Sequence, residues 1–565
     1  MRARGRALAT GVVALLALAA CTGDDDRARG PSATATGSET SPAATPTDVD
    51  ASPSAAPSGG GTGPAVERDP EALTVAIQDP RSLDPMRIQN TYSLLVARQL
   101  FEGLTRWDQE RGEVVGAAAK SWEAARNDRR FTFTLRRGMT FHDGTPVTAR
   151  DFEYAFDRIA LQKNASDLAY TLERVRGFDD VNQLGRERTL EGVRAPDDRT
   201  LVIELDEPFA ELPAVLTHPG LVPVPRDAAR DSATFLEEPV GNGPFRMSAP
   251  WQGSGPIELE AFGGFYDPVE LEAIRFVTFP EAAASWVPFV DGQIDVAEVP
   301  VNQFVQAASA YGKRGYQPLL LGYYYGFNLD ARGLGDIRLR KAIGRAIDRE
   351  RIAQEIYKGT LQPPRGIVPD AMPGFGDDAC GKLCDHSLGA ARSYVRKLPK
   401  RARDVTLEFP NDEPNAPQHR EVAAAIRDDL EAAGLDVELR DFPFEKYLER
   451  LRTGRMHFYR IGWSAEYPVA DDFLAPLFES DAPDNGFGFS SRKVDSLLRK
   501  ARSEDDPKRR VAFYAQAEEE ILEQAPILPI GFFVTHFAAQ PRVEGIHFDM
   551  TGGFDAATIS LADDG

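Results

Sequence analysis

The chain has 565 residues, with 87 acidic and 65 basic side chains and a formal charge of −22. That balance excludes a nucleic-acid binder, which needs basic faces, and it says little about a small ligand, because net charge acts mainly on solubility and encounter rate. At this length more than one domain is expected.

The N-terminus reads as an export signal. Arg2, Arg4 and Arg6 open it, an apolar stretch follows over 12–20, and Cys21 ends it. The apolar run is too short for a hydrocarbon core of roughly 30 Å, which takes about 20 such residues. Leu18-Ala19-Ala20-Cys21 resembles the lipobox of bacterial lipoproteins. That resemblance implies a signal peptide over 1–20, lipidation of Cys21, and tethering by a lipid anchor alone to the outer face of the bacterial cytoplasmic membrane. A plain secretory signal is the alternative. Residues 21–66 are then a linker, which from 22 to 65 is almost entirely Ser, Thr, Ala, Pro, Gly and Asp, with Val49 the one large apolar side chain there. Such a segment cannot bury enough surface to offset its ordering entropy, so it is expected to be disordered.

From 67 onward, helical and strand patterns alternate. LTVAI (73–77) predicts a strand ended by Asp79-Pro80, and 91–104 has helical apolar spacing. Phe131, Phe133 and Leu135 alternate with polar residues, a strand with one buried face, and Asp143-Gly144 marks a tight turn. Thr148 with Asp151 reads as a capping box ahead of a helix carrying Phe152, Phe156 and Ile159. Further strands are expected at 200–205 and 274–279. Asp336 caps a predicted helix running to Gly359, with Ile337, Ala342, Ile343, Ile347 and Ile352 along its apolar stripe. Strands at 405–409 and 435–439 flank a helix over 420–433, a βαβ unit. Helices over 494–502 and 508–524 precede the apolar segment PILPIGFFVTHF.

No catalytic residue is assigned. The seven histidines (142, 218, 386, 419, 457, 536 and 547) form no H-E-x-x-H, and neither G-x-S-x-G nor G-x-G-x-x-G occurs. His142, in FHDG, reads as a hairpin residue. A secreted hydrolase using acids such as Glu466 and Asp472 stays open, because paired carboxylates need no sequence proximity. Cys380 and Cys384, in DDACGKLCDHS, are expected to pair as a disulfide in an exported chain. A metal held by both thiols with Asp385 or His386 would be the alternative, but the spacing is a weak metal signal, so no metal and no cofactor is expected. Gly376-x₄-Gly381-Lys382 lacks the hydroxyl and preceding strand of a phosphate loop.

Seven stretches in order then carry a resemblance. They are SLDP (82–85) with LFEGLTRWD (100–108), AKSWEAARNDRRFTFTLRRGMTFHDGTPVTARDFEYAFDRI (119–159), VGNGPFRM (240–247), FVDGQIDV (289–296), YYGFNL (324–329), DIRLRKAIGRAIDRERI (336–352) and GWSAEYPVADDFLAPLFES (462–480). Together they resemble family 5 of the extracellular solute-binding proteins, the oligopeptide- and dipeptide-binding group of ABC importers. Asn242 replaces the family's usual Thr, AFGGFYDP (261–268) lacks a familiar Arg-Asn-x-x-Tyr, and Glu466 stands where many peptide binders carry Asp.

The resemblance implies an α/β, two-lobed periplasmic-binding-protein fold of the flytrap type, cluster C, with a small additional domain inserted in the first lobe. Lobe I would take 67–92, 224–326 and 530–565, the inserted domain 93–223, and lobe II 327–529. It implies a monomer that binds a small peptide or other small solute and partners an ABC permease and, through it, an ATPase. Among the site residues it implies, Glu466 would meet the ligand's α-ammonium, Trp463 and Gly462 would form a wall, and Arg460 would face the acidic end. Tyr324 and Asp79 would border the cleft, while Asp471 and Asp472 read as caps of a helix over 472–480 rather than ligand contacts. A nickel chelate, haem, oligosaccharide or opine could fill the same fold, as could a ligand that is sensed rather than delivered.

Overall fold

The computed structural model describes residues 68–562 apart from 89, 110, 228, 230, 231, 414–417 and 466. Cys21, the linker and Glu466 therefore lie outside the described residues.

Ala72–Ile77 is buried along its whole length because it is an interior strand of a six-stranded sheet. It pairs in parallel with Ala273–Thr278 on one side and with Val296–Glu298 on the other. Phe537–Ala539 closes one edge, and Ile257–Ala261 then Phe245–Met247 extend the other. Burial on both faces is why ALTVAI is continuously apolar rather than alternating.

A second six-stranded sheet runs Leu361–Gln362, Ile527–Val534, Pro318–Phe327, Phe458–Ser464, Asp404–Pro410 and Asp436–Phe442. The βαβ unit stands in it: Asp404 pairs with Asp436 and Pro410 with Phe442, joined through the helix His419–Ala433. Gly434 ends that helix at φ 94, where a side chain would be strained.

The third sheet is antiparallel, ordered Ala119–Ala125, Arg130–Leu135, Thr200–Glu204, Val193–Asp197. Phe131, Phe133 and Leu135 face inward, as their alternation predicts. The helix Ala149–Ala160 starts on the capping box, with the Asp151 carboxylate accepting from the Thr148 N–H at 2.8 Å.

Leu73 and Val75 of the first sheet, Leu95 of the helix Thr91–Leu100, Phe131 and Phe133 of the third sheet, and Phe152 and Phe156 all belong to one continuous core. The second sheet has a core of its own, built on Tyr323–Tyr325, Phe458, Ile461 and Phe478. The inserted segment thus packs as one body with the first sheet. Pro318–Phe327 and Ile527–Val534 are antiparallel neighbours in the second sheet. Their outer ends are tied back by Leu320 N–H to Met550 C=O (2.9 Å) and Thr535 N–H to Gln317 C=O (2.7 Å). Residues 318–326 and 530–534, both expected in lobe I, accordingly lie in the second sheet.

Two motifs of the sequence gain a physical role. Asp84 of SLDP caps the turn Pro85–Arg87 and takes both arms of the Arg158 guanidinium, from Nη1 at 2.7 Å and Nη2 at 2.5 Å, with both side chains buried. Asn242, where the family carries Thr, mimics a backbone: its Oδ1 accepts from Glu102 N–H and its Nδ2 donates to Glu102 C=O, each at 3.0 Å. His142 sits beside it, with Nδ1 facing Gly241 N–H and Nε2 facing Gly243 C=O at 3.2 Å. Burial pushes His142 down to about 4, which keeps it neutral.

One expected helix is broken. The stretch from 337 forms a helix only over Ile337–Ala346, and the backbone is extended at Ile347. Asp348 then caps a fresh turn, accepting from Arg351 N–H at 3.0 Å. The break serves the buried Arg349, which donates to the carbonyls of Pro529 (2.6 Å), Gly344 (2.9 Å) and Cys384 (2.9 Å). Cys384 is bonded to Cys380, with Cα atoms 5.5 Å apart. Among the described residues no helix is long and apolar enough to cross a membrane, and no group of three or more His, Cys, Asp or Glu could hold a metal ion.

Candidate functional site

Phe458–Ser464 lies against the crossing strand Pro318–Phe327 in antiparallel register, with Arg460 opposite Tyr325, Gly462 opposite Tyr323 and Trp463 opposite Gly322. Side chains alternate along a strand. Arg460, Gly462, Tyr323 and Tyr325 therefore share one face, while Ile461, Trp463 and Tyr324 share the other.

That second face packs into the lobe II core at Tyr324 and Ile461, and at Trp463 it opens on a cavity of about 830 Å³ between the inserted segment and lobe II. Trp463, Ser464, Tyr467 and Asp471 line it from lobe II; Arg174 and Phe209 line it from the insert. The Trp463 ring is held by its Nε1–H, which donates to the Asp472 carbonyl at 2.7 Å. Burial and the charge of Glu173 push Asp484, also on the wall, up to about 6.

Asp471 and Asp472 lie in the first turn of the helix Ala470–Phe478, whose cap is Val469; neither is the capping residue expected from the sequence. Asp471 is instead a strut. Its carboxylate, 5 % exposed, accepts from Arg502 Nε at 2.8 Å and from Arg174 Nη2 of the insert at 3.0 Å. Arg502 spans on to Glu479 at 3.0 Å, and its carbonyl accepts from Ala210 N–H at 3.0 Å. Tyr514 donates to Glu211 at 2.7 Å beside it. The insert and lobe II are bridged along this side of the cavity.

Behind the other face, Arg460 is 6 % exposed and its guanidinium lies 5.1 Å over the Tyr323 ring. Nη1 donates to Glu413 Oε1 at 3.2 Å, and Glu413 Oε2 lies 2.6 Å from His419 Nε2. An ionised carboxylate only accepts, so that nitrogen carries the proton and His419 Nδ1 accepts from the Tyr323 hydroxyl at 2.8 Å. Gly462 makes room for the guanidinium: a Cβ there would come within 3.0 Å of Arg460 Nη2.

Burial pushes Glu413 up, but the Arg460 charge and the His419 bond outweigh it and hold the carboxyl below its ordinary range. Burial and Arg460 hold His419 below its own. Both groups have folded pKa values lower than unfolded ones, so their stabilisation is full above about pH 6.5 and is lost as pH falls. Urea midpoints should therefore drop from pH 7 to pH 4, and drop less in His419→Gln; equal slopes for the two proteins would refute this.

Four expected contacts fall elsewhere: Gly462 and Arg460 stand on the face away from the cavity, with Arg460 buried on Glu413, and Tyr324 and Asp79 depart as follows. Tyr324 does not border the cleft: it is wholly buried on the lobe II core side, its hydroxyl donating to the Ile367 carbonyl at 2.6 Å. Asp79 is an exposed turn residue whose carboxylate accepts from Arg81 N–H at 3.0 Å. It does sit at the carboxyl edge of the first sheet, where open α/β sheets hold ligands. That edge carries residues the sequence reading did not single out. Glu298 accepts from Tyr92 at 2.7 Å and pairs with His536 Nε2 at 3.0 Å, and Gln78 donates to Tyr92 at 2.8 Å. Glu413, His419 and Tyr323 were also unmarked, since nothing local joins Glu413 to an arginine 47 residues away.

Comparison with known proteins agrees with this architecture. The family model described as bacterial extracellular solute-binding proteins, family 5 Middle, matches residues 113–485. The oligopeptide-binding protein OppA of Bacillus subtilis (strain 168) is 28 % identical over 84 % of this chain and 89 % of its own. The probable deoxycholate-binding periplasmic protein YgiS of Escherichia coli (strain K12) is 30 % identical over 83 % and 89 %. Among solved structures, the unliganded open form of the periplasmic murein tripeptide-binding protein MppA superposes with a TM-score of 0.78, at 25 % identity, covering 88 % of this chain and 98 % of that one. The chain belongs to the bacterial extracellular solute-binding proteins of family 5 and is a substrate-binding component rather than an enzyme.

Proposed function

We propose that this chain is the lipid-anchored, extracytoplasmic binding subunit of an ABC importer, capturing peptides in the cleft between its lobes and delivering them to a permease. The observation that carries the reading is the cavity of about 830 Å³ walled by Trp463 on one body and by Arg174 and Phe209 on the other. The bodies have separate cores and are joined by paired strands, an arrangement suited to hinge closure. A ligand touching both walls favours the closed form by its differential affinity. The likeness to an open, unliganded relative supports taking the present form as the one awaiting ligand. Relatives named for oligopeptide and dipeptide binding support a peptide; in this reading Glu466 accepts from its α-ammonium and Cys21 is the anchor. A charge-assisted bond in a desolvated cleft is stronger than a neutral one.

A non-peptide solute is the second reading, favoured by the relative named for deoxycholate. Native mass spectrometry of protein purified without refolding should release a bound peptide. Short peptides at about a hundred times Kd should stabilise the fold by about 2.7 kcal/mol, with a smaller radius of gyration by X-ray scattering. Stabilisation by deoxycholate and by no member of a broad peptide library would overturn the peptide reading in favour of the second.

A further inference from the structure

The cavity between the inserted segment and lobe II is charged out of balance. Eight acidic side chains line it against three arginines. Two of the arginines are engaged, Arg502 on Asp471 and Glu479 and Arg174 on Asp471. The third, Arg499, is an exposed residue of the helix Arg492–Arg502. Three polar groups on the wall make no side-chain hydrogen bond or ion pair among the described residues: the Glu173 carboxylate of the insert, and the Asp484 carboxylate and Tyr467 hydroxyl of lobe II.

These three groups share one space. Burial and the Glu173 charge push Asp484 up, with no cation among the described residues near enough to pull it back. Burial, then Asp472, holds the proton on Tyr467, and Glu173 adds to the effect. Glu173 itself exposes its side chain to the cavity, yet the protein around that wall strips much of its hydration and raises the carboxyl. Arg174 and Arg502 offset only part of that rise, since both serve Asp471. Two carboxylates in a poorly hydrated space repel each other, and a cation brought between them removes the repulsion. The rings of Trp463 and Tyr467 on the same wall suit the apolar stem of such a cation.

We propose that Glu173 and Asp484 form a subsite for a cationic side chain, an ammonium or guanidinium on an apolar stem, so that this chain selects basic peptides. The two carboxylates stand on opposite bodies, so one cation between them touches both and favours the closed form. A free diamine carries the same chemistry and meets the same pair. The selection of peptides rests on the peptide reading above; the cation subsite does not.

The experiment has two arms. The first takes alanine peptides with one lysine placed at each position in turn, and copies carrying Nε-acetyl-lysine, which keep the α-ammonium and lose only the side-chain charge. By calorimetry the wild type should bind the best lysine peptide at least about tenfold more tightly than its acetylated copy, the effect of one charge-assisted bond. The double variant Glu173→Gln with Asp484→Asn should hold the two within about twofold, with the acetylated peptide bound as in the wild type. Both substitutions relieve a repulsion and break no bond, so the variant should keep its fold. A wild type without preference, or a preference that survives in the double variant, overturns the proposal. The second arm uses cadaverine alone. At tens of millimolar it should raise the melting temperature of the wild type by a few degrees beyond potassium chloride of equal ionic strength, and that of the double variant no further than the salt does. No response in the wild type, or the same response in both proteins, overturns the cation subsite. If no peptide binds either protein, the peptide reading fails, and cadaverine still decides the subsite.

Discussion

Asp84→Ala is expected to lower the unfolding free energy by about 3–5 kcal/mol, measured by urea denaturation of the mature protein, because it strands a buried guanidinium. Asp84 is 2 % exposed and Arg158 is 8 % exposed, and their bond is two-armed. The same carboxylate also caps a turn through Met86 N–H at 3.2 Å. The pair joins the segment leaving the first sheet to the helix Ala149–Ala160 of the inserted segment, so the loss should appear in the unfolding of that shared core. Removing both charges is a different experiment. Asp84→Leu with Arg158→Met should recover most of the loss, since an apolar pair leaves nothing unsatisfied except the turn cap, worth about 1 kcal/mol. A single-variant loss below about 1 kcal/mol would contradict the buried pairing.

Asp471→Ala should have a somewhat smaller effect with a different signature. Its carboxylate serves Arg502, 7 % exposed, and Arg174, 25 % exposed. Arg502 keeps its bond to Glu479, so losing the Asp471 carboxylate is expected to cost about 1.5–3 kcal/mol. Arg174 belongs to the insert, so the variant should also loosen the junction between insert and lobe II, seen as a larger radius of gyration in the ligand-free protein. Because Arg174 is partly in water, its share is smaller: a double-mutant cycle with Arg174→Met should return a coupling of about 0.5–1.5 kcal/mol. Additivity within about 0.3 kcal/mol would mean that no strut crosses the junction.

Much of the local structure was legible from short windows. The capping box at Thr148 and Asp151, the alternation of Phe131, Phe133 and Leu135, and the βαβ unit around His419–Ala433 all stand where their patterns put them. The capping box is a contact within a few residues. The strand and βαβ patterns show their periods in short windows, even though the pairing itself, as of Asp404 with Asp436, spans the intervening helix. The helix expected to reach Gly359 failed for the opposite reason. Its apolar stripe continues past Ile347, but Arg349 finds its acceptors on Pro529 and Cys384, far along the chain, and the backbone yields to them. The tyrosine run shows the same limit: alternation says that neighbours point oppositely, but only pairing with Gly462 and Arg460 decides that Tyr323 and Tyr325 face the buried arginine and Tyr324 faces the core.

The cleft divides along the same line. The sequence alone marked GWSAEYPVADDFL as a wall of something and set Trp463 into it, because a family motif is a local string. It also determined the α/β alternation and the acidic balance that rules out nucleic acid. Only the tertiary structure decided that Arg158 belongs to Asp84, that Asp471 holds Arg174 and Arg502 across two bodies, and that Arg460 is already matched by Glu413. The reason is physical. A buried charge must find its partner in space, and a folded chain supplies that partner from any distance in sequence, so a string shows which residues carry charge but not which of those charges the protein keeps for itself.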